Sequence, residues 1–295
     1  MRIRYIEIFY AVMQAGTVQG AADMLHITQP AATRLLQQAE RNLGIRLFER
    51  TRGRLVPTEE ALHLFPEVEQ VYIRLEHVRR VVTNLAKGPD SQARVLCVPG
   101  LAIECLPRAL GQWNREQPGV RVVLKTLHSR QIAEAIALRE AHVGFTFEPS
   151  PHPAVTSQVI ARGRIVCVGE QLPAGGAAVR MDDLAAQPIV DLDPADPLGL
   201  LLHAAFRRHD MVPQSKALVH SYHSAIELAS QGFGWALVDN HTAAYAKRYP
   251  RLTVAPLEPE IPVSVYALRS RDMPTSAAVS QLVKCFSEAL TDGGA

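Results

Sequence analysis

The chain has 295 residues, with 47% hydrophobic and 20% charged residues and a formal net charge of +2, the make-up of an ordinary globular protein with room for about two domains of ~150 residues. Disordered and fibrous classes are excluded, and apolar stretches such as Leu198–Ala205 fall far short of the ~18–20 residues that span a bilayer, so no membrane partner is expected. The four cysteines (Cys97, Cys105, Cys167, Cys285) form no CxxC pair, and the N-terminus carries Glu7 inside its apolar run, so a reduced cytoplasmic location without a signal peptide is expected.

In chain order, Ile6, Phe9 and Val12 lie three apart and predict an apolar stripe on a first helix, stopped by Gly16. Thr17 caps a second helix over about 18–25 whose Ala21–Ala22 pair lets another helix cross closely, and His26–Ile27 leave room only for a tight turn. Thr28 caps a third helix with Pro30 in its first turn; it ends at Gly44, with Ala31, Leu35, Ala39 and Leu43 expected on the core side. Its opposite face shows Gln29, Thr33, Arg34 and Gln37, residue types that bond base edges and phosphates. A strand over 45–50, a turn at 51–54 and a return over 55–57 then make a hairpin with Arg50, Arg52 and Arg54 near its tip, suited to the DNA backbone or minor groove. Residues 1–58 hold eight Arg, no Lys and four acids, a net +4 that leaves the remaining chain at −2. A basic unit joined to a mildly acidic body points to an anionic polymer.

The stretch AADMLHITQPAATRLLQQAERNLGIRLFERTRGRLVPTEEA, residues 21–61, resembles the signature of the LysR-type transcriptional regulators: paired Ala, Thr28-Gln29-Pro30-Ala31, Arg34, Leu47-Phe48, Arg50, Arg54 and Thr58 stand in matching places. Thr33 departs mildly from the family's frequent Ser while keeping the hydroxyl. The resemblance implies double-stranded DNA as partner, with Thr28, Gln29, Thr33 and Arg34 on the operator and Arg52 or Arg54 reaching from the wing. With the residues read above, the candidate DNA-binding set is Thr28, Gln29, Pro30, Thr33, Arg34, Gln37, Arg50, Arg52 and Arg54.

No glycine occurs from Glu59 to Ala86, and Leu64, Val68, Val71, Leu75, Val78, Val82 and Leu85 repeat at 4, 3, 4, 3, 4, 3, the seam of a coiled coil. A linker helix that pairs two subunits is therefore expected, as the resemblance also implies. Pro66 predicts a kink, or a helix that effectively starts near Phe65. Lys87–Ser91 forms a hinge.

Beyond it, strands alternate with helices: strand 95–98, helix 103–114, strand 120–124, helix 130–139, strand 143–147, then strands at 165–168 and 189–192, helix 197–207, strand 217–219, helix 225–231, strands at 235–238 and 263–267, and a closing helix over 276–290. Such alternation predicts βαβ units and a parallel sheet. By the resemblance this body is an effector domain of two lobes crossed twice by the chain, as in periplasmic binding proteins. The fold class is thus α/β: a winged helix-turn-helix (1–58), a linker helix and hinge (59–90), and an effector-binding domain (91–295), with lobe 1 near 91–161 and 266–295 and lobe 2 near 162–265.

Ligands of open α/β sheets bind beyond the carboxyl ends of strands, which nominates Pro99, Gly100, Leu101, His128, Ser129 and Phe147 in the first lobe and Asp193, Asp196, His223 and Asp239 in the second. Family members often carry a Ser/Thr-rich turn where this chain has Pro99–Gly100, while Ser129 fits the family's second turn and Ser224 would cap the helix beside it. Aspartates suit an amine, and histidines with helix N-termini suit a carboxylate, so an amphoteric effector is expected. The run VDNHTA (238–243) also resembles regulators of amino-acid metabolism within the family. Asp193 and Asp196 could equally cap the following helix.

No GxSxG, P-loop or HExxH occurs, Gly232–Phe233–Gly234 lacks the third glycine of a dinucleotide fingerprint, and His220 and His223 have no adjoining Cys or carboxylate cluster. No catalytic residues, cofactor or metal are expected. A redox-sensing regulator using a Cys and an orphan α/β enzyme stand as alternatives; a purely architectural DNA-binding protein would not need the long second part. The expected assembly is a homo-oligomer, a dimer of dimers, acting with a small-molecule effector on RNA polymerase access.

Overall fold

The computed structural model describes residues 2–51, 54–87, 92–173 and 177–292. It divides into two compact units, Met1–Gly88 and Pro89–Ala295.

The first unit opens with α1 (Ile3–Ala15), α2 (Val18–Met24) and α3 (Gln29–Leu43). Gly16 and Gly44 end α1 and α3 in the left-handed region at φ 67° and 71°, where a glycine has no Cβ to clash. Thr17 accepts a bond from Gly20 N at 3.0 Å and caps α2. Thr28 stands at the cap of α3 in extended conformation, but its hydroxyl makes no capping bond, contrary to expectation.

Helix α1 is buried on two sides rather than along one stripe. Ile8, Ala11 and Val12 pack on Ala21, Ala22, Ala32 and Leu36, whereas Phe9 packs with Leu47, Ala61 and Val68; Ile6 is only half-buried. In α3 the core side is Ala32, Leu36 and Ala39, with Ala31, Leu35 and Leu43 half-buried. Steps of four residues drift about 40° round a helix of 3.6 residues per turn, so the 4, 3 spacing keeps a straighter face than the expected run of fours.

Strands β1 (Phe48–Thr51) and β2 (Arg54–Pro57) pair antiparallel, Arg50 opposite Leu55. Helix α4 (Glu59–Lys87) follows without a break. It starts at Glu59, not near Phe65, because Thr58 caps it: the Thr58 hydroxyl accepts from Ala61 N at 3.2 Å and donates to Arg46 O at 2.8 Å. Pro66 lies inside the helix, and the carbonyl it frees belongs to Leu62, a residue on the solvent side, 56% exposed. The seam behaves as two parts. Val68 is buried and Leu64 half-buried against the helix-turn-helix, and Tyr10 stacks on Phe65 and Tyr72 with ring centres 5.9 and 3.9 Å apart. Val71 and Val78 are exposed; the side chains of Val82 and Leu85 lie outside the described residues.

The second unit contains β3 (Gln92–Cys97), α5 (Pro99–Ala102), α6 (Cys105–Glu116), β4 (Arg121–Thr126), α7 (Ser129–Ala137), β5 (Val143–Thr146), β6 (Val155–Gly169), β7 (Val179–Arg180), α8 (Met181–Ala185), β8 (Pro188–Leu192), α9 (Pro197–Arg208), β9 (Gln214–Val219), α10 (Tyr222–Ser230), β10 (Trp235–Asp239), α11 (Asn240–Ala243), a 3-10 turn (Ala244–Arg248), β11 (Thr253–Glu258), β12 (Pro262–Ser270) and α12 (Ala277–Asp292). The strand order is β4-β3-β5-β12-β6-β10-β8-β9, with β11 on β6 and β7 on β11.

Two parallel sets, β4-β3-β5 and β10-β8-β9, are joined through antiparallel β12 and β6, so the sheet is mixed rather than parallel throughout. Strand β6 belongs to both halves: residues 155–164 pair with β12, and 165–168 pair with β10. Its first part, TSQVIARGR, is polar and mostly open on its faces, so only the buried Ile165–Val168 run signalled a strand in the sequence. At Gly163 a Cβ would lie 2.1 Å from Asn240 Oδ1, which accepts the Arg164 N–H at 2.9 Å, so the crossing point needs glycine. The helix expected over 103–114 is α6, set two residues further along the chain, and α5, β7, α8, α11 and β11 were not anticipated. The core runs from Trp113, whose indole donates to Ala278 O at 2.7 Å and joins α6 to α12, through Phe145 against Phe286 at 4.3 Å, into the second half around Phe206.

Candidate functional site

Two surfaces combine polar groups that the fold alone does not require. In the first unit, Thr28, Gln29, Pro30, Arg34 and Gln37 are exposed along the first half of α3. Thr33 is half-buried, and its hydroxyl donates back to Gln29 O at 3.0 Å. Arg50 is exposed on β1 and shares a shallow concavity with Gln29, Leu55 and the Gly16–Gln19 turn, so the wing and the start of α3 border one surface. Arg54 is placed by its pairing with Thr51, its side chain outside the described residues, and Arg52 lies outside them altogether.

Sequence reasoning missed Glu40. Its Oε1 accepts the N–H groups of Leu47 (2.8 Å) and Phe48 (3.2 Å), and so fixes where the wing leaves α3. One of only two acids in the arginine-rich stretch 34–54, Glu40 offered that as the available signal.

In the second unit, a cavity of about 230 Å³ opens between the two halves. Of the expected residues it gathers Pro99 and Gly100 from α5, His128 and Ser129 from the start of α7, Phe147 after β5, and Asp193 and Asp196 from the β8–α9 loop. Three do not join them. Leu101 is fully buried in the core. His223 is buried with neither ring nitrogen hydrogen-bonded, its ring edge-on to Tyr245 at 4.8 Å, and burial lowers its pKa, which keeps the imidazole neutral. The reason is helical geometry: α10 aims Tyr222 into the cavity, and the next side chain turns away by about 100°. Asp239 is fully buried and consumed in capping α11, accepting from His241 N (3.0 Å), Thr242 N (2.9 Å) and the Thr242 hydroxyl. Burial raises its pKa, and these bonds oppose the shift.

Asp196 is a helix cap that also faces the cavity. Its Oδ1 accepts from Leu198 N at 3.0 Å and from the Tyr222 hydroxyl. Asp193 accepts from Ala195 N at 2.8 Å and bonds His220 Nδ1 at 2.8 Å. His220 is thus Asp193's partner rather than half of a His220–His223 metal pair, and among the described residues no group of three or more His, Cys, Asp or Glu could hold a metal ion. Ser221, not Ser224, caps α10, accepting from Ser224 N at 3.4 Å. Gly100 is required by close approach: a Cβ there would lie 2.6 Å from the Tyr222 ring, which crosses from the other half.

His220 and Tyr222, from the strand-end stretch 220–224 that the sequence offered beside His223, line the cavity, and so do Glu148 and Arg130, which sequence reasoning missed. Burial raises the pKa of Glu148; a Ser129 hydrogen bond opposes the shift and the Asp196 charge adds to it. All four cysteines are buried and free. Burial pushes the Cys105 thiol up to about 11 and Cys97 upward as well, which leaves both as thiols at neutral pH and poor redox nucleophiles.

A winged helix-turn-helix followed by a long helix and a two-halved α/β body with a cavity between the halves defines a ligand-responsive DNA-binding protein. Residues 3–62 match the family described as "Bacterial regulatory helix-turn-helix protein, lysR family", and residues 86–291 match "LysR substrate binding domain". The chain belongs to the LysR family of transcriptional regulators. It is 32% identical over 245 residues to the HTH-type transcriptional regulator DgcR of Pseudoalteromonas sp, covering 82% of this chain and 84% of that protein. It is 31% identical over 300 residues to the transcriptional activator protein LysR of Escherichia coli (strain K12), covering 99% and 93%. The fold is shared with full-length CbnR in complex with its target DNA, at TM-score 0.71 and 20% identity over 98% of this chain and 100% of that one. Among the described residues no helix is long and apolar enough to cross a membrane.

Proposed function

We propose that this regulator reads an operator with Thr28, Gln29, Pro30, Thr33, Arg34 and Gln37 in the major groove and holds the duplex backbone with Arg50, Arg52 and Arg54 of the wing. The observation that carries this reading is the exposed Gln29–Arg34–Gln37 face of α3 beside Arg50. Amides and guanidinium groups there can bond adenine and guanine edges bidentately. A head over residues 1–58, a linker over 59–90 and a body over 91–295 divide the work. The exposed Val71 and Val78 of α4 supply an apolar stripe for pairing two subunits, and paired dimers present several heads to spaced half-sites with dyad symmetry.

A small amphoteric or carboxylate effector enters the cavity between the halves and biases one of two arrangements of the body. DNA bending then changes, and with it the access of RNA polymerase to a promoter in the cytoplasm. The chain acts as a regulator and not as an enzyme.

Arg34→Ala is expected to weaken operator binding by roughly 1–3 kcal/mol and to relax selectivity at one base pair. Gel-shift titration against operator variants measures this, and unchanged affinity removes Arg34 from the reading head. Ser129→Ala is expected to blunt the effector response while operator affinity without effector stays at the wild-type level. A normal response in a promoter-reporter assay rejects the placement of the effector against α7.

A further inference from the structure

We propose that the molecule admitted to the cavity carries a positive group, an ammonium or guanidinium, which seats between Glu148 of one half and Asp196 of the other and draws the halves together. The proposal rests on reading the cavity as the effector site. Glu148 follows β5 in the first half, and Asp196 opens α9 in the second; both line the same cavity. Two carboxylates on opposing walls repel each other, and among the lining residues His128 offsets this in part by favouring the Asp196 carboxylate. Arg130 shares the lining, yet its side chain is 91% exposed and bonds Glu134 at 3.2 Å. His220 is engaged with Asp193. The Asp196 carboxylate accepts from Leu198 N, Gly199 N and the Tyr222 hydroxyl, and Glu148 accepts from Ser129. A carboxylate has about four acceptor sites, so both acids retain acceptors for a donor entering the cavity.

The remaining walls say what else that molecule carries. Three helices of nine residues or more begin there, α7, α9 and α10; Asp196 and Ser221 cap the last two, and in α7 the Gln131 side chain accepts the His128 N–H at 3.2 Å. The first N–H groups of α7, at Ser129 and Arg130, have no partner within the helix, and a carboxylate fits them. Acceptors for a cation and donors for an anion thus face a cavity below the ~300–1,000 Å³ of drug-sized sites, the requirement of a small zwitterion of amino-acid type. Because Glu148 and Asp196 come from different halves, a cation between them replaces repulsion across the cleft with attraction to both sides. A nitrogen-free acid of the same size would leave the repulsion in place.

The test uses the purified full-length protein and three probe sets at equal concentration: the common amino acids, their decarboxylated amines, and matched carboxylic acids without nitrogen. Thermal shift is expected to show stabilisation by at least one cation-bearing probe and by none of the nitrogen-free acids. Glu148→Gln, nearly isosteric, is expected to lower apparent affinity for that probe at least tenfold while the melting temperature of the free protein stays the same or rises. Equal stabilisation by a nitrogen-free acid, wild-type affinity in Glu148→Gln, or no stabilisation by any cation-bearing probe overturns the proposal. Ala195→Phe, which fills the cavity without removing a charge, separates the two levels of the argument. If it abolishes binding of a nitrogen-free acid, the cavity remains the effector site and only the charge assignment fails; if any probe still binds it as it binds wild type, the cavity reading falls too.

Discussion

Trp113→Ala is expected to destabilise the effector-binding unit by about 3–5 kcal/mol, the range for truncating a large buried aromatic. Trp113 is fully buried on the inner face of α6, and its indole N–H donates to Ala278 O at the start of α12, 2.7 Å away. Truncation opens a void between these helices and removes the indole–carbonyl hydrogen bond, and both effects add in the same direction. Against a total stability of about 5–15 kcal/mol the loss is large. Urea denaturation followed by circular dichroism measures it, with Trp113→Phe as the comparison: phenylalanine loses the hydrogen bond but keeps most of the packing, so its cost is expected to be the smaller. A loss below about 1 kcal/mol for Trp113→Ala would show that α6 and α12 close over the gap.

Gly199→Ala is the second large effect, and it reaches the cavity. A Cβ at Gly199 would lie 1.9 Å from Asp193 O, 2.7 Å from Asp193 C and 3.1 Å from Leu192 O. All three are backbone atoms at the end of β8 and cannot rotate aside. The first turn of α9 must move away from the strand, at a cost of about 3 kcal/mol, the upper part of the usual range for overpacking. The same shift displaces Asp196, which caps α9 through Leu198 N, and strains the loop on which Asp193 bonds His220. Lower thermal stability together with loss of the effector response is therefore expected. Operator binding by the first unit, measured without effector, is expected to persist, and wild-type stability in Gly199→Ala would refute the close approach.

Much of the first unit was legible because its signals are local. Gly16 and Gly44 end helices through their own backbone freedom, Thr17 caps from three residues away, and the Gln29–Gln37 face follows from helical period. Errors arose where a long-range partner decided. Thr58, twelve residues from Arg46, starts α4 well before Phe65. In α3, contact with α1 and α2 selects Ala32 and Leu36 over Ala31 and Leu35.

The candidate cavity was half legible. Strand ends and helix starts are local features, so Pro99, Gly100, His128, Ser129, Phe147, Asp193 and Asp196 could be nominated from the chain alone. Which neighbour faces inward could not be read: Tyr222 lines the cavity and His223 lies buried beside Tyr245. Glu148 gains its meaning from Asp196, 48 residues on and across the cleft.

By itself the sequence determined the winged helix-turn-helix, the linker helix, the alternating body and the family, since period, capping residues, turn glycines and a conspicuous motif act over a few residues. Tertiary structure decided the mixed sheet, with one strand shared by both halves, and the choice of side chains that meet in the cavity. Those features depend on backbone pairing and packing between segments tens of residues apart, such as β6 with β12 and α10 with α5, and nothing in a local stretch of chain encodes them.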